Sequence, residues 1–247
     1  MSNVIINNRR QNKPMVSIVI VTFNASNYIR GALESIKTLD LNYFEVLIID
    51  GQSTDDTLSV VDEFVGELPI RVISEPDLGI YDAMNKGVRN SKGDLLYFLG
   101  ADDRLRDGFL ILLESCANKD TVYYANVIKA KDKTRYLGKF NSYKLMRTNI
   151  CHQAIIYPRK YLLLHPYDLK YKMLSDYANN LLLWGKYEFN YVPVDVCDYN
   201  DQGASSAGDT DFQADKSILI KSHLGTFWYL LYKFRYFVVC IKRLVVK

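Results

Sequence analysis

The sequence predicts an α/β fold: a mostly parallel, Rossmann-like sheet with helices on both faces. Three observations carry that expectation. Apolar, β-branched runs alternate with stretches of helical periodicity through the first hundred residues, and several runs end in small or acidic residues. Strands and helices alternating at this length imply parallel neighbours joined by right-handed crossovers. The run Leu95–Leu99 is continuously apolar and passes directly into Gly100, Ala101, Asp102 and Asp103. That is how a strand buried on both faces reaches the sheet edge where open α/β folds bind ligands.

Taken in order, residues 1–14 are polar and carry Arg9, Arg10 and Lys13, which suits a loose arm. Val16–Val21 is the first strand. Ile29, Ala32, Leu33 and Ile36 then recur at helical spacing. Phe44–Ile49 is the second strand, closed by Asp50-Gly51. Ser53-Thr54-Asp55-Asp56 supplies caps and acids for a helix whose stripe is Leu58, Val61 and Val65. Ile70–Ile73 is a short third strand, Tyr81–Val88 a helix, and the Leu95–Leu99 strand follows Gly93.

The second half is less regular. Val122–Ala130 and Arg135–Phe140 predict a hairpin across Lys131-Asp132-Lys133, and Ala154–Tyr157 a strand cut by Pro158. Leu174, Tyr177, Leu181 and Trp184 fall on one helix face, with Gly185 as a stop signal. Phe189–Val196 is extended, Asp198–Asp209 is loop by composition, and Asp211–Ser222 is helical.

The totals narrow the class. At 247 residues, 49% hydrophobic and 24% charged, the chain is long enough for one large folded domain. A net charge of +3 is too mild to indicate nucleic acid. The four cysteines are widely spaced with no Cys-x-x-Cys, which argues against a zinc site or disulfide scaffold and suits a reducing cytosol. No run of 18 apolar residues is present, so a spanning helix is not expected.

The exit of the first strand, Thr22-Phe23-Asn24, is neither a Gly-x-Gly-x-x-Gly turn nor a phosphate loop, which disfavours a nicotinamide dehydrogenase and a P-loop ATPase. Asp50 and Asp102 both end strands, where an acid can accept from a ribose or cap a turn. Adjacent Asp102 and Asp103 repel unless a proton or cation intervenes, and an acidic turn is the plain alternative to a metal site. Gly79 precedes a helix whose free amides could meet an anion. Asp82 and Lys86 share a helix face and would serve equally as a surface ion pair. Asp176 opens a helix, where the dipole alone favours an acid. His152 is a lone histidine, a residue type more often structural than ligating.

In their order and spacing over residues 15–208, these pieces resemble a family-two glycosyltransferase with the GT-A fold. The resemblance rests on Val16 through Asn24, Ile48 through Thr57, Glu75-Pro76-Asp77 with Gly79 through Gly87, and Phe98 through Asp103. The Gly79–Gly87 run, Gly-Ile-Tyr-Asp-Ala-Met-Asn-Lys-Gly, is similar to that of bacterial members building O-antigen lipopolysaccharide, capsule or exopolysaccharide. The resemblance implies an inverting, metal-dependent transfer from a nucleotide-diphosphate sugar, a UDP-sugar by expectation. Residues 15–105 would be the nucleotide-sugar half and 106–210 the acceptor half of one domain.

It also implies roles. Thr22, Asn24 and Asp50 would contact the nucleotide, together with Gly79, Asp82, Asn85 and Asp102. Asp102 and Asp103 would divide binding of Mg²⁺ or Mn²⁺ and ribose, in an order left open. Asp176 would be the general base; relatives often carry Glu-Asp here, and this chain has Ser175 before it. His152, Gln153, Lys86 and Ser205 would be accessory. Neither tryptophan follows an arginine, so the Gln-x-x-Arg-Trp of processive relatives is absent and one sugar is expected per encounter.

Residues 211–247 form the expected C-terminal helical tail. Lys221–Lys247 holds six basic residues, no acids and seven aromatics between Phe227 and Phe237. Such a segment suits the interface of an anionic membrane, or packing on the domain. The first reading places the enzyme peripherally on the cytoplasmic face of the plasma membrane, beside a lipid-linked glycan acceptor. The alternatives are a nucleotidyltransferase, which usually carries a Gly-rich basic loop that Val19–Arg30 lacks, and a non-catalytic nucleotide-sugar-binding protein.

Overall fold

A computed structural model describes residues 16–39, 44–136, 138–200 and 208–245. The polar arm and Gln202–Ser206, Ser205 included, lie outside the described residues.

The first half follows the expected rhythm: β1 (Val16–Thr22), α1 (Ile29–Lys37), β2 (Phe44–Asp50), α2 (Thr57–Asp62), β3 (Ile70–Ser74), α3 (Ile80–Asn90) and β4 (Leu95–Gly100). These strands lie side by side in the order β3-β2-β1-β4, all parallel. The chain steps outward from β1 to β3, then returns to the other side of β1 for β4. The order therefore reverses between β1 and β4, which opens a crevice at their carboxyl ends. Val16, Ile18, Val19 and Ile20 are wholly buried, as are Leu95, Leu96 and Tyr97. Each such aliphatic side chain contributes about 1.5–3 kcal/mol by leaving water.

The second half adds β5 (Arg104–Leu105), α4 (Gly108–Glu114), β6 (Val122–Lys129), β7 (Arg135–Tyr136), α5 (Ser142–Arg147), β8 (Ile155–Pro158), α6 (Arg159–Leu164), α7 (Ser175–Lys186) and β9 (Phe189–Tyr199). The sheet continues β4-β8-β6-β9-β5, with β8 antiparallel to β4 and β7 paired to β6. The predicted hairpin forms, but its second strand stops at Tyr136 instead of Phe140. Gly138 turns there at φ +70°, and its amide is taken by the Asn126 side chain. Gly185 does not stop α7, which runs on to Lys186. A Cβ at Gly185 would stand 2.2 Å from the His223 carbonyl, so the glycine instead lets α8 (Thr210–Leu224) pack closely.

Helix α9 (Thr226–Val245) follows Gly225, whose φ is +99°. Its inner residues Trp228, Tyr229 and Tyr232 pack on the core, while Phe227, Leu230, Phe234 and Phe237 are more than half exposed. These four recur at spacings of three and four, which is one helix face. Among the described residues no helix is long and apolar enough to cross a membrane.

Candidate active site

Strand register assembles the first part of the site. Thr22 of β1 pairs with Asp50 of β2, and Asp50 pairs with Ser74 of β3, so the three sit on one rung at the sheet edge. The Thr22 hydroxyl donates to Asp50 Oδ1 at 3.1 Å and the Ser74 hydroxyl to Oδ2 at 2.7 Å. Ser53 adds its amide to Oδ2 at 3.0 Å and its hydroxyl to Oδ1 at 2.5 Å. Burial pushes the Asp50 carboxyl up, but these donors outweigh it and hold the group below the ordinary carboxylate range. A carboxylate has about four acceptor positions. All four are used within the protein, so Asp50 shapes the loop after β2 at the edge where the resemblance places the nucleotide.

Asn24 takes a left-handed φ of 51°, which asparagine tolerates. Its side-chain oxygen accepts from the Thr54 amide at 2.9 Å, and its own amide donates to Ser53 Oγ at 2.9 Å. The β1 and β2 exit loops are thus laced together. Phe23 stands at this edge with 65% of its surface exposed, beside Gly51. Sequence reasoning passed over it, and the signal was available: an aromatic residue just past a buried strand, next to a glycine.

The loop before α3 is closed on itself. The Gly79 amide donates to Asp77 Oδ1 at 2.8 Å, and the Leu78 amide to Asp82 Oδ2 at 3.1 Å. The expected anion-binding amides at this helix start are therefore in part already used. Lys86 reaches the Pro76 carbonyl, Glu75 at 3.2 Å and Asp82 at 3.5 Å, clamping the same loop. The Asn85 amide exchanges two bonds with the Tyr167 backbone, both 2.9 Å, and is buried against that segment.

Across the crevice, Asp102 and Asp103 follow β4 and differ sharply. Asp102 is exposed and accepts from Asn200 Nδ2 at 2.8 Å. Asp103 is 1% exposed, with Oδ1 accepting the Asn200 amide at 2.8 Å and Oδ2 the Gln153 amide at 2.9 Å. Burial, with the Asp102 charge added, pushes Asp103 up to about 6. Gly100 permits this fold-back, since a Cβ there would stand 2.3 Å from Asp103 Oδ2.

Asp176 lies in the first turn of α7 and gathers residues from distant parts of the chain. Tyr81 Oη donates to its Oδ1 at 2.9 Å, Asn149 Nδ2 to its Oδ2 at 3.0 Å, and His152 Nδ1 lies 3.4 Å from Oδ2. Burial and the adjacent carboxylate push the Tyr81 phenol well above its ordinary value, so it remains a donor. The approach to α7 is pinned by Asp209, whose Oδ2 accepts the Met173 and Leu174 amides at 2.8 and 3.2 Å. Neither Tyr81, Asn149 nor Asp209 was singled out by sequence as a site residue, since nothing local signals contacts so far apart in the chain.

A doubly wound sheet with an acid pair past β4 and a buried acid facing it across the crevice is the arrangement of a GT-A glycosyltransferase. The chain belongs to glycosyl transferase family 2, whose profile matches residues 17–179. It is 34% identical over 222 residues to a PGL/p-HBAD biosynthesis glycosyltransferase of Mycobacterium tuberculosis, covering 86% of this chain and 87% of that one. A chondroitin synthase of Escherichia coli is 40% identical over 93 residues, which is 37% of this chain and 14% of the synthase. Among solved structures, S. aureus TarS 1-349 in complex with UDP-GlcNAc superposes with a TM-score of 0.69 at 17% identity, covering 85% of this chain and 67% of TarS. A mannosyltransferase from Pyrobaculum calidifontis, bound to GDP-Man and Mn²⁺, gives 0.63 at 19% identity over 87% and 63%.

Proposed function

We propose that the enzyme is an inverting, non-processive transferase that moves a sugar from a nucleotide-diphosphate donor, a UDP-sugar, to a lipid-linked glycan. The observation that carries the reading is the position of Asp176: a buried carboxylate, fixed by Tyr81 and Asn149 and linked to the acid pair through the consecutive His152 and Gln153. An inverting transfer is a single displacement, so one base must take the acceptor hydroxyl's proton as it attacks. The contact to His152 is long for a full hydrogen bond, which leaves an Oδ2 position for that hydroxyl.

Among the described residues no cluster of three or more His, Cys, Asp or Glu forms a metal cage. The acid pair still fits a hard divalent ion, because Mg²⁺ and Mn²⁺ sites of this kind combine one or two carboxylates with water and substrate phosphate. In this reading exposed Asp102 is the direct ligand, and Asp103, held by Gln153 and Asn200, braces the turn. The ion would stabilise charge on the departing diphosphate. Thr22, Asn24 and Phe23 line the nucleotide side, with the Phe23 ring free to stack on a base.

The exposed apolar face of α9, on a helix carrying basic residues, supports peripheral docking at the cytoplasmic membrane surface, where a lipid-linked acceptor would be met. Surface polysaccharide assembly fits that setting. The deciding experiment is a panel of nucleotide sugars assayed for slow hydrolysis with and without Mn²⁺. Metal-dependent release of a nucleoside diphosphate from one of them is expected. Pyrophosphate release from a nucleoside triphosphate instead would make the protein a nucleotidyltransferase.

A further inference from the structure

A cavity of about 210 Å³ lies between α5, α8 and α9, apart from the crevice at the strand ends. Its lining includes three cations, Arg147, Lys216 and Arg235, and no acid. Lys216 is 92% buried by its 8% exposure, and no carboxylate, carbonyl or hydroxyl bonds its ammonium among the described residues. Three rings lie near it: Tyr177 at 4.6 Å, Phe212 at 5.8 Å and Tyr232 at 6.0 Å. Burial pushes this ammonium down to about 8, so at neutral pH it still carries its charge most of the time. Arg147 and Arg235 both sit against the Tyr143 ring, at 5.5 and 5.6 Å, and Arg235 Nη1 donates to the Tyr143 hydroxyl at 2.7 Å. Neither guanidinium has a carboxylate within ion-pairing distance among the described residues.

Gathering three like charges around one partly desolvated cavity is unfavourable unless an anion joins them. Ring faces compensate a buried ammonium only in part. Guanidinium forks match phosphate oxygens, and a lysine supplies a point charge beside them. We propose that this cavity is a binding site for a phosphate or diphosphate group, held by Lys216, Arg147 and Arg235. The site adjoins the base through Tyr177, which follows Asp176 in α7, and through α5, which leads to Asn149. It does not depend on the donor assignment above.

Inorganic pyrophosphate, titrated calorimetrically into the full-length protein in EDTA, is the first probe, since without metal the crevice should contribute little. Saturable binding is expected. Lys216→Met keeps the buried stem and should fold; it and Arg147→Gln, an exposed position, should each weaken binding at least tenfold. Lys221→Gln, which removes an exposed cation outside the cavity, should leave it within twofold. Farnesyl diphosphate separates the sources: binding at least tenfold tighter than pyrophosphate identifies a lipid diphosphate, and equal binding a free one. Equal pyrophosphate affinity in wild type and Lys216→Met, or no binding by the wild type, would overturn the site.

Discussion

His152 and Gln153 are neighbours in the chain, yet they reach different acids. His152 Nδ1 lies 3.4 Å from Asp176 Oδ2, and Gln153 Nε2 donates to Asp103 Oδ2 at 2.9 Å. The short 3₁₀ turn that carries them, His152–Ala154, thereby links Asp176, the proposed base, to the acid pair. Gln153 holds Asp103 and so the turn that carries Asp102, the proposed metal ligand, and supporting partners of this kind typically contribute about 10–100-fold to metal affinity. Gln153→Met, similar in volume but without the donor, should raise the Mn²⁺ concentration for half-maximal turnover by about tenfold or more. A metal titration that superposes on the wild type would remove Gln153 from the site.

Asp176→Asn keeps the shape of the proposed base and removes its ability to accept a proton. Transfer should fall by about 10²-fold or more, while nucleotide affinity, measured by calorimetry, stays within threefold. Retained transfer would sink the base assignment.

Tyr81→Phe tests positioning separately. The phenol oxygen lies 2.9 Å from both Asp176 Oδ1 and the Met173 carbonyl, with one proton to share between them, so its loss loosens the proposed base without removing it. A drop in kcat of about tenfold with little change in donor KM is expected, equivalent to about 1.4 kcal/mol.

Much of this was legible beforehand because it is local. The strand ends at Asp50 and Asp102, the helix start at Asp176 and the alternation that orders β1 to β4 follow from short-range patterns. The two bonds between Asn85 and the Tyr167 backbone were not legible, because Tyr167 lies in a segment without periodicity. Helices α4, α5 and α6 are six or seven residues long, too short for a 3.6-residue period to stand out. The antiparallel insertion of β8 beside β4 is a tertiary choice that no local pattern announces.

Glu45 gives a pH-dependent prediction away from the crevice. It is 6% exposed and accepts from the Ser17 hydroxyl at 2.7 Å, the Lys92 amide at 2.5 Å and Arg71 at 3.1 Å. Burial pushes its carboxyl up, but these donors prevail and hold it below 4.5. A depressed folded value means the stabilisation is complete above the unfolded pKa and is lost as pH falls through the folded one. At pH 7, Glu45→Gln should therefore cost about 1.5–3 kcal/mol by urea denaturation. Below about pH 4 the gap between variant and wild type should narrow. A gap independent of pH would show that the carboxylate's charge is not what the site uses.

Gly87 tests how α3 is seated. It faces the sheet in the middle of the helix, and a Cβ there would stand 2.5 Å from Val19 Cγ1 and 3.5 Å from Ile49 Cγ1. Val19 is wholly buried and β-branched, so its χ1 has little freedom to yield. Two opposing effects decide Gly87→Ala. Helix propensity favours alanine by roughly 0.5–1 kcal/mol, whereas overpacking a filled core costs typically about 1–3 kcal/mol. Overpacking should win, with a net loss of about 1 kcal/mol or more in denaturant unfolding. The same shift moves Tyr81, six residues earlier in the helix, away from Asp176, so kcat should fall with stability. Val19→Ala opens the space a Cβ needs, and the double variant should recover part of both losses relative to Gly87→Ala. If the double variant restores stability but not turnover, the seat of α3 and the position of the base are uncoupled.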